Sequence, residues 1–255
     1  KTQRTFQMIT QISIVNRSGY TLRGMLNSPE NAPEKVPVVI NVHGFGGTLG
    51  GYKGLHTRMA RELSRAGIAC VRFDMYGNGE SDGEFSDMTF TSLLEDTEDI
   101  FHWVAAQPWA DHEHLILSGQ SMGGYVVSCA APRLNPFALI LMCPGGAMWY
   151  GALERSLSME QQGIFFADVE GLRFSTGFNK DLHQYEPFST AAGYHGPTLL
   201  IRGTMDELVD ESICEKYRSL YGEACTYLSI EGGNHNFSSL PTREACNNGI
   251  LSFFG

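Results

Sequence analysis

The sequence predicts an α/β fold built on a mostly parallel, doubly wound sheet with an antiparallel hairpin ahead of it. Three observations carry that prediction. Near-continuous apolar runs of strand length recur along the chain, segments with helical spacing separate them, and one run, His114 to Leu117, leads straight into Gly119-Gln120-Ser121-Met122-Gly123. Strands apolar on both faces belong in a parallel sheet covered by helices, and alternation of strands with helices leaves few topologies open. At 255 residues the chain suits one such domain.

Taken in order, Thr5 to Val15 alternates apolar and polar residues, and a second alternating run continues to Leu26 after the Asn16-Arg17-Ser18-Gly19 turn. That pattern reads as a hairpin at a sheet edge. After a proline-bearing link from Pro29 to Pro33, the runs Val36 to Val42, Ile68 to Phe73, Leu115 to Leu117, Phe137 to Leu141, Pro197 to Ile201 and Cys225 to Ile230 read as strands buried on both faces. Helical patterns lie between and after them at Tyr52 to Ala66, Thr89 to Gln107, Ser121 to Ala131, Glu211 to Leu220 and Thr242 to Phe254. From Gly145 to Ser189 the next strand is delayed by a stretch of Met, Trp, Tyr, Phe and acidic residues. An insertion of that length in a compact domain is usually a lid or binding element.

Composition narrows the function. Hydrophobic residues make up 42% and charged residues 18%, the balance of an ordinary globular chain. The net charge of −10, with no basic run, argues against nucleic acid, whose backbone needs clustered Lys and Arg. The longest apolar runs are strand-length, far short of the roughly 20 residues that span a bilayer. Six cysteines stand singly at 70, 129, 143, 214, 225 and 246, without zinc-ligand spacing, so no metal is expected and they read as reduced. The N-terminal residues lack a secretory pattern, which together with reduced thiols points to the cytoplasm. The absence of an initiator Met leaves room for a leader removed upstream.

A serine on a sharp strand-to-helix turn, flanked by glycines that admit close backbone contact, is a nucleophile elbow, which makes Ser121 the candidate nucleophile. Such a serine needs a base, and the base needs an acid that holds its tautomer. In the arrangement that carries this elbow, the acid and then the histidine follow on loops after later strands. Asp206 is chosen as the acid, in Gly203-Thr204-Met205-Asp206-Glu207-Leu208-Val209-Asp210; Glu207 and Asp210 are rivals, the latter readable as a helix N-cap. His235, in Glu231-Gly232-Gly233-Asn234-His235, is the expected base. The backbone N–H groups of Met122 and Phe45 are the expected oxyanion donors, with His43 as a buttress of the His43-Gly44-Phe45-Gly46-Gly47 loop.

These motifs, together with Phe73-Asp74-Met75-Tyr76-Gly77-Asn78-Gly79-Glu80-Ser81-Asp82-Gly83, resemble those of serine esterases of the α/β-hydrolase family. The 73 to 85 stretch and the mid-chain insertion resemble the bacterial feruloyl (cinnamoyl) esterases more narrowly. Asp74 and Ser81 have a bland reading there as local caps. The resemblance implies an α/β-hydrolase fold in one domain, 1–255, with a small cap at about 147–187 inserted after the sixth core strand. It implies hydrolysis of hydroxycinnamoyl esters through an acyl-enzyme with no cofactor. Trp149, Tyr150, Phe165, Phe166 and Tyr185 would supply aromatic walls of the cap, and Gln161, Gln162 or Asp168 a bond to a phenolic hydroxyl. The same aromatics also suit the cap's own small core. A broad carboxylesterase, an acylglycerol lipase, a thioesterase or a peptidase shares the triad, and a non-catalytic binding protein shares the fold. The expected partner is a small-molecule ester, and the chain is expected as a monomer or homodimer.

Overall fold

The computed structural model describes residues 8–30 and 34–255. The part of the first predicted strand before Met8, and Pro33 of the link, lie outside the described residues. The described residues form ten strands in chain order: β1 (Met8–Val15), β2 (Thr21–Ser28), β3 (Val36–Val42), β4 (Ala69–Phe73), β5 (Ala110–Gln120), β6 (Ala138–Met142), β7 (Phe166–Val169), β8 (Leu172–Ser175), β9 (Thr198–Gly203) and β10 (Cys225–Ile230). Eight of them form one sheet in the order β1-β2-β4-β3-β5-β6-β9-β10, while β7 and β8 pair separately. The hairpin pairs antiparallel, as does β2 with β4; every other neighbour in the large sheet is parallel. This is the α/β-hydrolase fold, with its antiparallel start.

The helices are α1 (Leu55–Arg65), α2 (Phe90–Ala105), α3 (Met122–Leu134), α4 (Ala152–Gln161), α5 (Thr176–Leu182), α6 (Pro187–Ala191), α7 (Glu211–Tyr221) and α8 (Leu240–Phe253). Their starts follow local chemistry. Thr89 and Ser92 exchange side-chain and backbone bonds in a capping box before α2, which occupies donors that a helix start leaves without partners. Asp210 accepts the Ser212 N–H and opens α7. Ser239 accepts from Thr242 and begins α8 two residues earlier than the apolar pattern suggests. Among the described residues no helix is long and apolar enough to cross a membrane.

Two strands differ from their sequence reading. β5 runs from Ala110, because the polar stretch Asp111 to His114 extends the strand ahead of its buried half. β10 is exposed at Thr226 and Ser229 and fully buried only at Ile230, since it is the last strand of the sheet and only β9 lies beside it.

The segment between β6 and β9 contains α4, the β7–β8 hairpin, α5 and α6, where periodicity had assigned no elements. Phe178 and Leu182 of α5 are buried in the main core. Asp181 accepts from both the N–H and the hydroxyl of Thr91 at 2.7 and 2.8 Å, tying this segment to the start of α2.

Candidate active site

Ser121 joins β5 to α3 with φ 55° and ψ −123°, a conformation that a side chain adopts only when its surroundings enforce it. The enforcement is steric. A Cβ on Gly119 would lie 2.3 Å from the carbonyl of Gly123, and one on Gly123 would lie 2.2 Å from the Val42 oxygen. Strand and helix therefore cross at a separation that only glycine allows. The end of β6 grips the turn as well: the Ser121 N–H donates to Met142 O at 2.9 Å, and its carbonyl accepts from the Gly145 N–H at 2.8 Å. Met122 opens α3, so its N–H has no acceptor within the helix.

Asp206 lies in the turn after β9, and its Oδ1 accepts the N–H groups of Leu208 and Val209 at 2.9 and 3.0 Å. His235 donates from Nδ1 to Oδ2 at 2.9 Å, which leaves Nε2 as its unprotonated nitrogen. Burial raises the Asp206 pKa, but the His235 and Val209 bonds, with the Cys143 thiol, outweigh it and hold the carboxyl down at about 2. Of the three carboxylates in this turn, Glu207 is exposed, Asp210 caps α7, and Asp206 meets the imidazole. The two loops pack at van der Waals limits, since a Cβ on Gly203 would lie 2.1 Å from the Gly233 oxygen.

Ser121, Phe45, Tyr52, Leu208, His235 and Asn236 line one cleft of 560 Å³. A hollow of 620 Å³ at the opposite ends of the strands is lined by Pro37, Ile68, Phe137 and Pro197, with His114 as its one titratable side chain. Chemistry therefore concentrates in the first. The loop beside Ser121 is braced from below. His43 Nε2 accepts the Met75 N–H at 3.2 Å, so Nδ1 carries the proton and donates to Gly44 O at 2.8 Å. Burial pushes the His43 pKa down, which favours this neutral role.

Asp74 does more than cap its own turn. Its two oxygens accept the N–H groups of Leu49 at 2.6 Å and Glu80 at 3.0 Å, and Arg72 donates to Leu49 O at 3.0 Å. The hydroxyl of Ser81 donates to the Asp74 carbonyl and accepts the Arg23 N–H of β2. The 73 to 85 stretch thus fixes the far end of the glycine loop. Sequence reasoning missed this reach, because Asp74 and Leu49 are distant in the chain and nothing local marks them as partners.

The residues expected to form aromatic and polar walls are placed elsewhere. None of Trp149, Tyr150, Gln161, Gln162, Phe165, Phe166, Asp168 and Tyr185 is among those lining the Ser121 cleft. Trp149 stacks on His183 and donates to its carbonyl, while Tyr150 accepts from Lys216 at 2.8 Å. The Tyr185 hydroxyl pairs with Thr91 Oγ1 at 2.7 Å. Gln161 and Phe165 are exposed, Gln162 donates back to Ser158 O within its own helix end, and the Phe166 ring lies against Arg173. Asp168 accepts the Gly171 N–H inside the hairpin turn. Instead, Phe174 and Phe178 of the inserted segment join Phe85 around the Phe45 ring, at centroid distances of 5.1, 6.1 and 5.2 Å, and Glu170 of the hairpin lines the cleft.

Among the described residues, one grouping has metal-ligand chemistry: Cys143, Asp206 and His235, with ligand atoms within 4.8 Å of one another. These atoms already satisfy each other. Burial and the nearby carboxylate push the Cys143 thiol well above its usual range, which opposes the thiolate a metal would need.

A family model described as serine aminopeptidase, S33, matches residues 33–163. A curated relative, the uncharacterized protein YfhR of Salmonella typhimurium, is 27% identical over 221 residues, covering 85% of this chain and 69% of its own length. The solved structure of Est1E from Butyrivibrio proteoclasticus with ferulic acid bound superposes with a TM-score of 0.82 at 25% identity, covering 95% of this chain and 99% of that one. Mouse α/β-hydrolase domain-containing protein 10 shares the fold, with a TM-score of 0.80 at 18% identity over 96% of this chain and 98% of its own.

Proposed function

Because this chain belongs to the serine aminopeptidase S33 family of α/β hydrolases, we propose that it is a serine carboxylic-ester hydrolase. The observation that carries the reading is the strained Ser121 in one cleft with His235, whose Nδ1 is held by Asp206. His235 Nε2 takes the proton of Ser121 Oγ as the oxygen attacks the ester carbonyl, and Asp206 stabilises the resulting imidazolium. The backbone N–H groups of Phe45 and Met122 bind the developing oxyanion, the second aided by the positive end of α3. Collapse releases the alcohol, protonated by His235, and leaves an acyl-enzyme. Water activated by the same imidazole then frees the acid, so the protein's own groups suffice for each proton transfer.

The acyl group proposed is a hydroxycinnamate. Support comes from the likeness to Est1E in its ferulic acid complex and from the aromatic and apolar lining by Phe45, Tyr52 and Leu208. The segment 147–187 acts as a cap on the main domain, resting on Phe45 through Phe174 and Phe178. Leu208 and Tyr52, 70% and 45% exposed at the rim, also suit a saturated acyl chain, which favours a broad carboxylesterase as the second reading.

Replacement Ser121→Ala tests the chemistry. Hydrolysis of p-nitrophenyl acetate and methyl ferulate should fall by about 10⁴-fold or more, and fluorophosphonate labelling should vanish; activity retained on both esters ends the proposal. Comparing kcat/KM for methyl ferulate and p-nitrophenyl butyrate separates the two acyl preferences.

A further inference from the structure

Gln120 immediately precedes Ser121, yet its side chain leaves β5 and crosses to the loop after β10. Its Nε2 donates to the carbonyl oxygen of His235 at 3.0 Å and to Oδ1 of Asn236 at 3.0 Å. A backbone carbonyl can only accept, so chemistry fixes which end of the amide faces this loop. The opposite end, Oε1, lies 3.1 Å from Nε2 of His56, which must therefore be the protonated nitrogen of that ring. His56 Nδ1 is left bare, and it is buried without a partner. A buried acceptor with nothing to accept is a cost, and here it follows from directing the single imidazole proton at Gln120.

The surroundings hold this arrangement in one state. His56 is 0% and Gln120 4% exposed. A Cβ on Gly51 would approach the His56 ring to 2.7 Å, so the backbone at Gly51, with φ 66°, closes over the imidazole. Burial, with His43 and Arg72 adding to it, lowers the His56 pKa to about 3. The ring thus keeps one proton across the neutral range.

We propose that Gln120, oriented by His56, is a positioning residue that sets the place of His235 relative to Ser121. The inference rests on the esterase reading above. Asp206 holds the imidazole ring of His235 from the β9 side, while Gln120 holds its backbone from the residue bonded directly to Ser121. The loop that carries His235 is pinned to the turn after β9, where Gly232 N–H donates to Thr204 Oγ1 at 2.8 Å and Gly233 O accepts the Met205 N–H at 2.8 Å, and Gln120 adds the bond that ties it to the strand of Ser121. Gln120 therefore references base and nucleophile to each other through a single residue, and displacement of either by about 1 Å costs on the order of 10²-fold in rate.

The test measures kcat and KM for p-nitrophenyl acetate, with Tm, in Gln120→Glu, His56→Phe and the double variant. A carboxylate cannot donate to His235 O, and phenylalanine cannot donate to Gln120, so each single variant should lower kcat by about 10- to 100-fold with KM within about twofold. Because both act through one contact, the double variant should fall no lower than the worse single. Gln120→Met keeps the chain length without polar atoms and gives a second reading where Gln120→Glu melts early. Wild-type kcat in Gln120→Glu or Gln120→Met, losses that multiply in the double variant, or lowered Tm with kcat intact overturns the proposal. Ser121→Ala is measured alongside: if it is inactive while Gln120→Glu is normal, this inference alone fails, and if it is active the esterase reading fails first.

Discussion

Nδ1 of His235 lies 2.9 Å from one oxygen of Asp206 and 3.1 Å from the other. The carboxylate reaches this position already anchored, because Oδ1 also takes two backbone N–H groups. An amide in its place presents one oxygen to those donors and turns its NH₂ toward the imidazole. Asp206→Asn should then favour the wrong tautomer and lower kcat by about 10³- to 10⁴-fold. Stopped-flow acylation rates check it, and a loss under tenfold contradicts the assigned role.

The same carboxyl ties stability to acid. Its pKa is depressed from 3.8 to about 2 in the folded chain. An acid with a lowered folded pKa stabilises the protein above its unfolded value, and the stabilisation is lost as pH falls through the folded one. The amount is about 2 kcal/mol, withdrawn between about pH 4 and pH 2. Urea midpoints of wild type should converge toward those of Asp206→Asn over that interval, and parallel curves would count against the depressed pKa.

Cys143 should be inert toward alkylation. It is fully buried, its thiol bonds to Asp206, and its pKa is pushed well above the usual range, so thiolate is scarce. Iodoacetamide at pH 8 should leave Cys143 unmodified in folded protein and modify it in urea. Peptide mass spectrometry reads the outcome, and labelling in the native state at the rate of a free thiol contradicts it.

Glycine at 119 and 123 should be irreplaceable. Alanine at either position places Cβ against backbone at 2.3 or 2.2 Å, where no side-chain movement gives relief. Each variant should lose more than about 3 kcal/mol, read as a fall in urea midpoint. A stable Gly123→Ala would mean that α3 can slide away from β3.

The hairpin tip is locally unfavourable. Glu170 and Gly171 have φ 53° and 88°, a two-residue turn in which asparagine and glycine are preferred. Glu170→Asn should therefore raise stability by about 0.5 kcal/mol. Removing its negative charge from the cleft should also raise kcat/KM for a carboxylate-bearing ester relative to a neutral one. An unchanged ratio would place Glu170 outside the substrate's field.

The core strands were legible because β3, β4 and β6 are apolar at every position but Asn41 and Arg72, and the elbow because glycines betray close backbone contact. Less visible was the first half of β5, whose polar residues hide a strand that needs no buried face. Short elements in the insertion gave no periodicity long enough to read. The resemblance offers Trp149 and Tyr185 as pocket walls, with the insertion's own small core as the alternative, and packing and hydrogen bonds within and beneath the insertion use them. Phe174 and Phe178, which meet Phe45, carry the same chemistry, and only the fold separates the two sets. Gln120 occupies the variable position of the Gly-x-Ser-x-Gly motif, where residue type carries no signal of the long-range bond its amide makes to the loop of His235.

The inserted segment leaves the sheet at β6 and returns at β9, which are adjacent strands. A graft at those two points therefore disturbs no strand order and leaves Ser121, Asp206 and His235 on stems outside the exchanged piece. What such an exchange of residues 146–196 must carry across is the underside of the piece: the core places of Phe178 and Leu182, the Asp181 anchor for Thr91, and the rings of Phe174 and Phe178 beneath which Phe45 lies.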